Sequence, residues 1–188
     1  MPNLKPFRDY SEHDVINFFA CNTVANKGTL VAPVRSPRNN VTGPLSLSST
    51  APGALYNNTI TNNFDLAGVV TPVVLPSYNL PDDPHGTVLG VLLKDVREFD
   101  ENGRKLIFDS RKAAEMDAIV KDIQAVPILT RGIILVNDIY LTGGPIYPGD
   151  AAYLGANGRF DTNGVMVVGR FLSVADENGY ALIKININ

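Results

Sequence analysis

Two histidines, one cysteine and a few acidic turns are the side chains of this sequence with the most chemical potential. A thiol nucleophile would need Cys21 beside a base, and His13 is the nearer histidine in sequence. Eight residues of extended chain span roughly 26 Å, so the pair reads as a structural thiol and a surface imidazole. Adding His85 does not complete a zinc set, which wants three or four ligands at recognisable spacing. The carboxylates Asp100, Glu101, Asp176 and Glu177 could serve a small hydrolase or, with Asn102 or Asn178, hold calcium. A retaining glycosidase needs two carboxyls roughly 5 Å apart across a cleft. A calcium loop needs acids at alternate positions and a distal bidentate Glu. Asp-Glu-Asn-Gly satisfies neither, and like Asp82-Asp83-Pro84-His85 it reads as turn chemistry. No catalytic residue, cofactor or metal is expected, and the chain reads as a non-enzyme.

The glycines between Gly143 and Leu172 invite a phosphate-loop reading, which requires a strand, a turn of amides and a following helix. Here Ala151-Ala152-Tyr153-Leu154 is followed by the turn Gly155-Ala156-Asn157-Gly158, an alternating Arg159-Phe160-Asp161-Thr162, a second turn at Asn163-Gly164 and the apolar run Val165–Leu172. That is a meander of short strands, so these glycines turn the chain.

The elements around them agree. Asp14–Ala20 and Thr29–Val34 read as a hairpin, Thr87–Val96 as one strong strand, and Ile128–Val136 as a strand with a bulge or bend at Gly132. Asp-Glu-Asn-Gly occurs at Asp100–Gly103 and again at Asp176–Gly179, each a hairpin turn with Gly where φ is positive. One helix is expected, capped by Ser110, with an apolar stripe of Ala113, Met116, Ile119, Val120 and Ile123, ending at Pro127. Residues 36–84 are rich in Pro, Ser and Asn and read as a long loop insertion, within which Val69–Leu75 is a candidate edge strand. The sum is a mainly-β fold: a small antiparallel β-barrel or sandwich at 13–188 with one short helix, the loop-rich insertion, and an extended N-terminal arm at 1–12. In that arm Leu4, Phe7, Arg8 and Tyr10 are candidate partner-binding residues, because an arm carrying apolar anchors can order on a partner surface.

At 188 residues, 45% hydrophobic and 19% charged, the chain can bury a core, and its formal charge of −3 argues against duplex nucleic acid. No run is long enough to span a bilayer, and the N-terminus lacks a signal core, so a membrane is not an expected partner. A lone cysteine rules out an internal disulfide and suits a reducing cytosol. The absence of Trp and an aromatic share of 8% disfavour a carbohydrate-stacking platform.

Four stretches carry a resemblance: Asn-Lys-Gly-Thr-Leu-Val at 26–31, Pro84–Val96, Val126–Asn137, and Tyr147–Thr162 with the last hairpin, Val168–Ile185. Their order resembles the capsid decoration, or cement, proteins of tailed bacteriophages. In that group a strand, Pro-Gly-Asp, a Gly-x-[Phe/Leu]-[Asp/Thr]-Thr hairpin and Val-Gly-[Arg/Lys]-x-Leu precede a final strand. The matching positions are Pro148, Gly149, Asp150, Gly158, Phe160, Thr162, Val168, Gly169 and Arg170. The resemblance implies a β-barrel on the outside of a mature head, commonly trimeric, with the major capsid protein as partner, assembled in the host cytoplasm and without enzymatic residues. It does not extend to Ser36–Tyr78. The alternatives are a tail or baseplate component and a small carboxylate-dependent hydrolase.

Overall fold

The computed structural model describes residues 4–6, 11–17, 19–21, 23–33, 65–69, 88–121, 123–137 and 139–187. Among them the chain forms two six-stranded sheets, a two-stranded ladder and one short helix. The first sheet contains β1 (Leu4–Pro6), β10 (Arg131–Val136), β14 (Ala181–Asn186), β13 (Val167–Phe171), β11 (Ala151–Leu154) and β12 (Phe160–Asp161), in that spatial order. All its pairings are antiparallel. The second runs β2 (Val15–Ile16), β9 (Ile128–Leu129), β6 (Gly90–Leu92), β4 (Leu30–Pro33), β5 (Asp65–Val69), β3 (Phe19–Cys21). Here β3 and β5 are parallel. The architecture is a sandwich of open ladders rather than a closed barrel.

Alternation explains the first sheet. In β10 and β14 every second residue is buried, so Ile134, Val136, Ala181, Ile183 and Ile185 face inward with Phe171 and Phe160. Against them pack Leu30, Val91 and Leu129, which stand opposite one another across β4, β6 and β9 of the second sheet. Alternation fails in the second sheet for a physical reason. Val31, Leu92 and Ile128 point the other way and are buried in a second core with Cys21, Ala25, Val96 and Val126. A sheet covered on both faces needs apolar residues at consecutive positions, which is why Gly90–Leu93 and Ile128–Leu129 read as unbroken runs.

The chain crosses between sheets at Thr130. Its N–H and Oγ1–H both donate to the Asp14 carbonyl, at 2.8 and 3.0 Å, while its own carbonyl accepts from the Ile187 N–H at 3.0 Å. The bend therefore lies two residues before Gly132, which pairs in continuous register with Ile185. A register shift does occur in the first sheet, in β11 between Ala152 and Tyr153.

Other expectations are corrected. Asp14–Ala20 divides into β2 and β3, and neither pairs with β4, so the early hairpin does not form: β2 lies on β9 and β3 on β5. Thr87–Val96 is not one strand, because β6 joins the second sheet whereas β7 (Asp95–Arg97) leaves it to run parallel to β8 (Ala118–Val120). The helix is only α1 (Ser110–Glu115). Its cap is Asp109, whose carboxylate accepts from the Lys112 N–H at 3.0 Å. Asp117 at φ 50° stops it, and the β-branched Ile119 and Val120 enter β8 instead of extending an apolar stripe. Leu106, Ala113 and Val120 form a third small core beneath the helix.

The repeated Asp-Glu-Asn-Gly turns are almost superimposable in their bonding. In each, the Asp Oδ1 accepts two N–H groups: Asn102 and Arg104 at 2.8 and 2.7 Å, Asn178 and Tyr180 at 2.9 and 2.7 Å. Gly103 and Gly179 sit at φ 77° and 78°, a region that a Cβ disfavours. After the first turn the return is a single bridge, Phe99 to Lys105, and then a helical turn at Leu106–Phe108. The second turn leads directly into β14.

Candidate functional site

The N-terminal arm is partly built into the sandwich. Leu4 pairs with Val136 and is 4% exposed, so its side chain belongs to the chain's own core. Lys5 points to the other side, with its ammonium 4.3 Å from the centre of the Tyr180 ring, a cation–π contact. Phe7, Arg8 and Tyr10 lie outside the described residues, as do His85 and Asp82–Pro84. From the 36–84 stretch, Asp65–Val69 is strand β5, held between β3 and β4; the remainder, including Val70–Leu75 of the candidate edge strand, lies outside the described residues.

The residues considered for catalysis occupy separate environments. Cys21 is fully buried in the second core and its thiol donates to the Thr23 carbonyl at 3.2 Å. His13 is solvent-exposed in the short turn Glu12–Asp14, with Nε2 3.9 Å from Glu12. Asp100 and Asp176 are occupied by the amides of their own turns. Among the described residues no group of His, Cys, Asp and Glu could hold a metal ion, and no helix is long and apolar enough to cross a membrane.

The residues that carry the resemblance have structural roles. Asp150 Oδ2 accepts from the Tyr147 N–H at 2.9 Å, closing the Pro148-Gly149 turn, and the Gly149 N–H donates to the Phe171 carbonyl at 2.8 Å. Thr162 Oγ1 accepts from the Gly143 N–H at 2.9 Å, fastening the loop before β11 to the end of β12. Phe160 and Val168 lie in the shared core. A Cβ on Gly169 would stand 2.3 Å from the Lys184 carbonyl oxygen, so only glycine permits β13 to lie this close to β14. Asp161, 6% exposed, accepts at one oxygen from Thr142 Oγ1 at 2.6 Å, the Thr142 N–H at 3.3 Å and the Asn163 N–H at 3.1 Å. Those donors satisfy a buried charge that would otherwise be costly.

What remains is surface, and its charges fall into two groups. Around β7, β8 and α1 five cations are answered, Lys94 by Asp117 at 2.9 Å, Arg97 by Asp95 at 3.0 Å, Lys105 and Lys121 by Glu98 at 3.9 and 3.7 Å, Arg111 by Glu115 at 3.2 Å, while Arg104 and Lys112 have no carboxylate among the described residues. The outer face of the first sheet is different. Its ladder positions are Lys5, Leu135 and Leu182 in one row, Ile133, Lys184, Arg170 and Ala151 in the next, then Arg131 with Asn186, and Tyr153 with Val167. Arg170 and Lys184 stand directly opposite each other, and both are exposed. Among the described residues no carboxylate pairs with Arg131, Arg170 or Lys184. The one acid in register on this side, Asp161, is buried beneath Thr142 and Asn163.

Sequence reasoning did not single out this face. The period-two pattern of Ala181–Asn186 marks Lys184 as outward, but its placement opposite Arg170 depends on a pairing register that composition does not reveal. In the loops that join the strands of this sheet, Leu141, Tyr147 and Val165 are exposed, the last to 93%. In the turn before α1, Phe108 is 85% exposed beside Ile107. No protein-family model matches the chain, and no curated protein matches it significantly.

Proposed function

We propose that this protein is a virion structural protein that binds the outer surface of a tailed-phage capsid and stabilises the mature head. The observation that carries the proposal is the way the resembling stretches meet in space. Asn26–Val31, Pro84–Val96 and Val126–Asn137 supply β4, β6, β9 and β10, while Tyr147–Thr162 and Val168–Ile185 supply β11 to β14. All of these strands contribute to the core shared by the two sheets, and β4, β6 and β9 also to the second, so the motifs that resemble cement proteins lie in the body of the sandwich rather than in a scatter of turns. The residues of those motifs close turns, fill the core and permit close strand approach. Such a body presents surface, and a lattice binder gains its hold from surface repeated over many copies. The resemblance adds the expectation of a homotrimer with the major capsid protein as partner.

The test is co-sedimentation of the purified chain with expanded heads lacking it and, separately, with naked tails. Saturable, stoichiometric binding to heads alone is the expected result. Binding to tails alone would transfer the protein to the tail or baseplate, and failure to bind either would overturn the structural assignment.

A further inference from the structure

We propose that the outer face of the first sheet, centred on Arg170 and Lys184, is a docking surface for a carboxylate-rich protein surface. The inference rests on the decoration reading only for the partner's identity, which would then be an acidic patch of the capsid exterior.

The charge pattern comes first. Like charges directly opposite on neighbouring strands oppose folding, and here Arg170 faces Lys184 across an antiparallel pair. Arg131 and Lys5 extend the same sign along the face, and none of its outward positions on β1, β10, β11, β13 or β14 carries an acid. Around β7 and β8 the fold does provide acids, Asp95 for Arg97, Glu98 for Lys105 and Lys121, and Asp117 for Lys94. An arrangement that costs the isolated chain stability is relieved when carboxylates arrive from outside.

Shape and composition then select the partner. Between the cations lie the half-buried Ile133, Leu135, Leu182 and Tyr153 and the 56% exposed Val167, a twisted apolar sheet face with charges set into it. That mixture matches a protein interface with a desolvated centre and charged surroundings. A nucleic-acid surface would favour many more cations and stacking aromatics than this face carries.

The test uses the full chain in four forms: wild type, R170E, K184E and, as a control with the same change in net charge on α1, which is outside this sheet, R111E. Each is measured against immobilised poly-L-glutamate, duplex DNA and expanded heads, over a range of NaCl. Wild type should bind poly-L-glutamate in a salt-sensitive way. R170E and K184E should each weaken this about tenfold, and R111E by less than about twofold. R170E should melt no lower than wild type, since it places Glu opposite Lys184, so lost binding could not be attributed to lost folding. Equal losses in R111E, no wild-type binding to poly-L-glutamate, or tighter binding to DNA through the same residues would each overturn the proposal. If wild type holds heads and R170E holds them equally well, the docking face is wrong while the decoration reading survives. If wild type and R111E hold poly-L-glutamate but no form holds heads, the decoration reading fails and the face stands.

Discussion

The two charged regions of this molecule obey different rules. Around β7, β8 and α1, Glu98 answers two lysines, Asp95 receives both the Lys27 N–H at 2.7 Å and the Arg97 guanidinium, and Asp117 meets Lys94. On the outer face of the first sheet Arg170 faces Lys184 with no acid among the ladder positions beside them. The first region pairs five of its cations within one chain. The second leaves Arg170 and Lys184 opposite each other with no acid in register, and the docking proposal starts from that difference.

The largest perturbation would remove the platform itself. Ile183→Ala, on the inner face of β14 behind Lys184, should cost about 2–5 kcal/mol through lost burial and an unfilled cavity. Denaturant unfolding would measure it, and a loss under 1 kcal/mol would mean that the two sheets do not share the tightly packed core described. Next in size is Asp161→Ala, which strands the Thr142 hydroxyl and two amides at the edge of the same sheet. It should cost about 1–3 kcal/mol, with Asp161→Asn costing less. A neutral Asp161→Ala would show that the buried carboxylate does not hold the Thr142 loop.

The smaller effects address the contrast itself. R170E should stabilise the chain by about 0.2–1 kcal/mol, because it converts a like pair into an opposite pair. The gain should shrink as NaCl approaches 1 M, where the screening length is about 3 Å. Arg111→Ala, in the paired region, should destabilise by about 0.3–0.5 kcal/mol, the ordinary worth of an exposed helical pair. Thermal melts of the two variants side by side would decide. If R170E were destabilising and Arg111→Ala neutral, the division into answered and unanswered cations would not hold.

Local chemistry in the sequence accounts for the parts of the fold that were foreseeable. Both Asp-Glu-Asn-Gly turns are legible because their bonds lie within five residues, and β13 and β14 are legible from alternation on a sheet with one wet face. The second sheet is harder. Its strands are two to five residues long and paired across long stretches of chain, and β4, β6 and β9 are buried on both sides, so neither the crossing at Thr130 nor the parallel pair β3–β5 leaves a local signal. The overlong helix has a specific cause: Met116, Ile119 and Val120 fit a helical period, but Asp117 turns left-handed and gives the β-branched residues to β8. For the site, the arm residue Leu4 was marked as an anchor from its apolar type, and that same property places it in the core. The cationic face escaped because it is a property of register across β10, β14 and β13 and not of any one segment.

Cryo-electron microscopy of expanded heads decorated with the purified chain tests the account most directly. The expected density places the sandwich on the outer shell, with β10, β14 and β13 turned toward acidic side chains of the capsid protein and Arg170 and Lys184 within ion-pair distance of them. Density on the tail, or on the head with that face open to solvent, would contradict it.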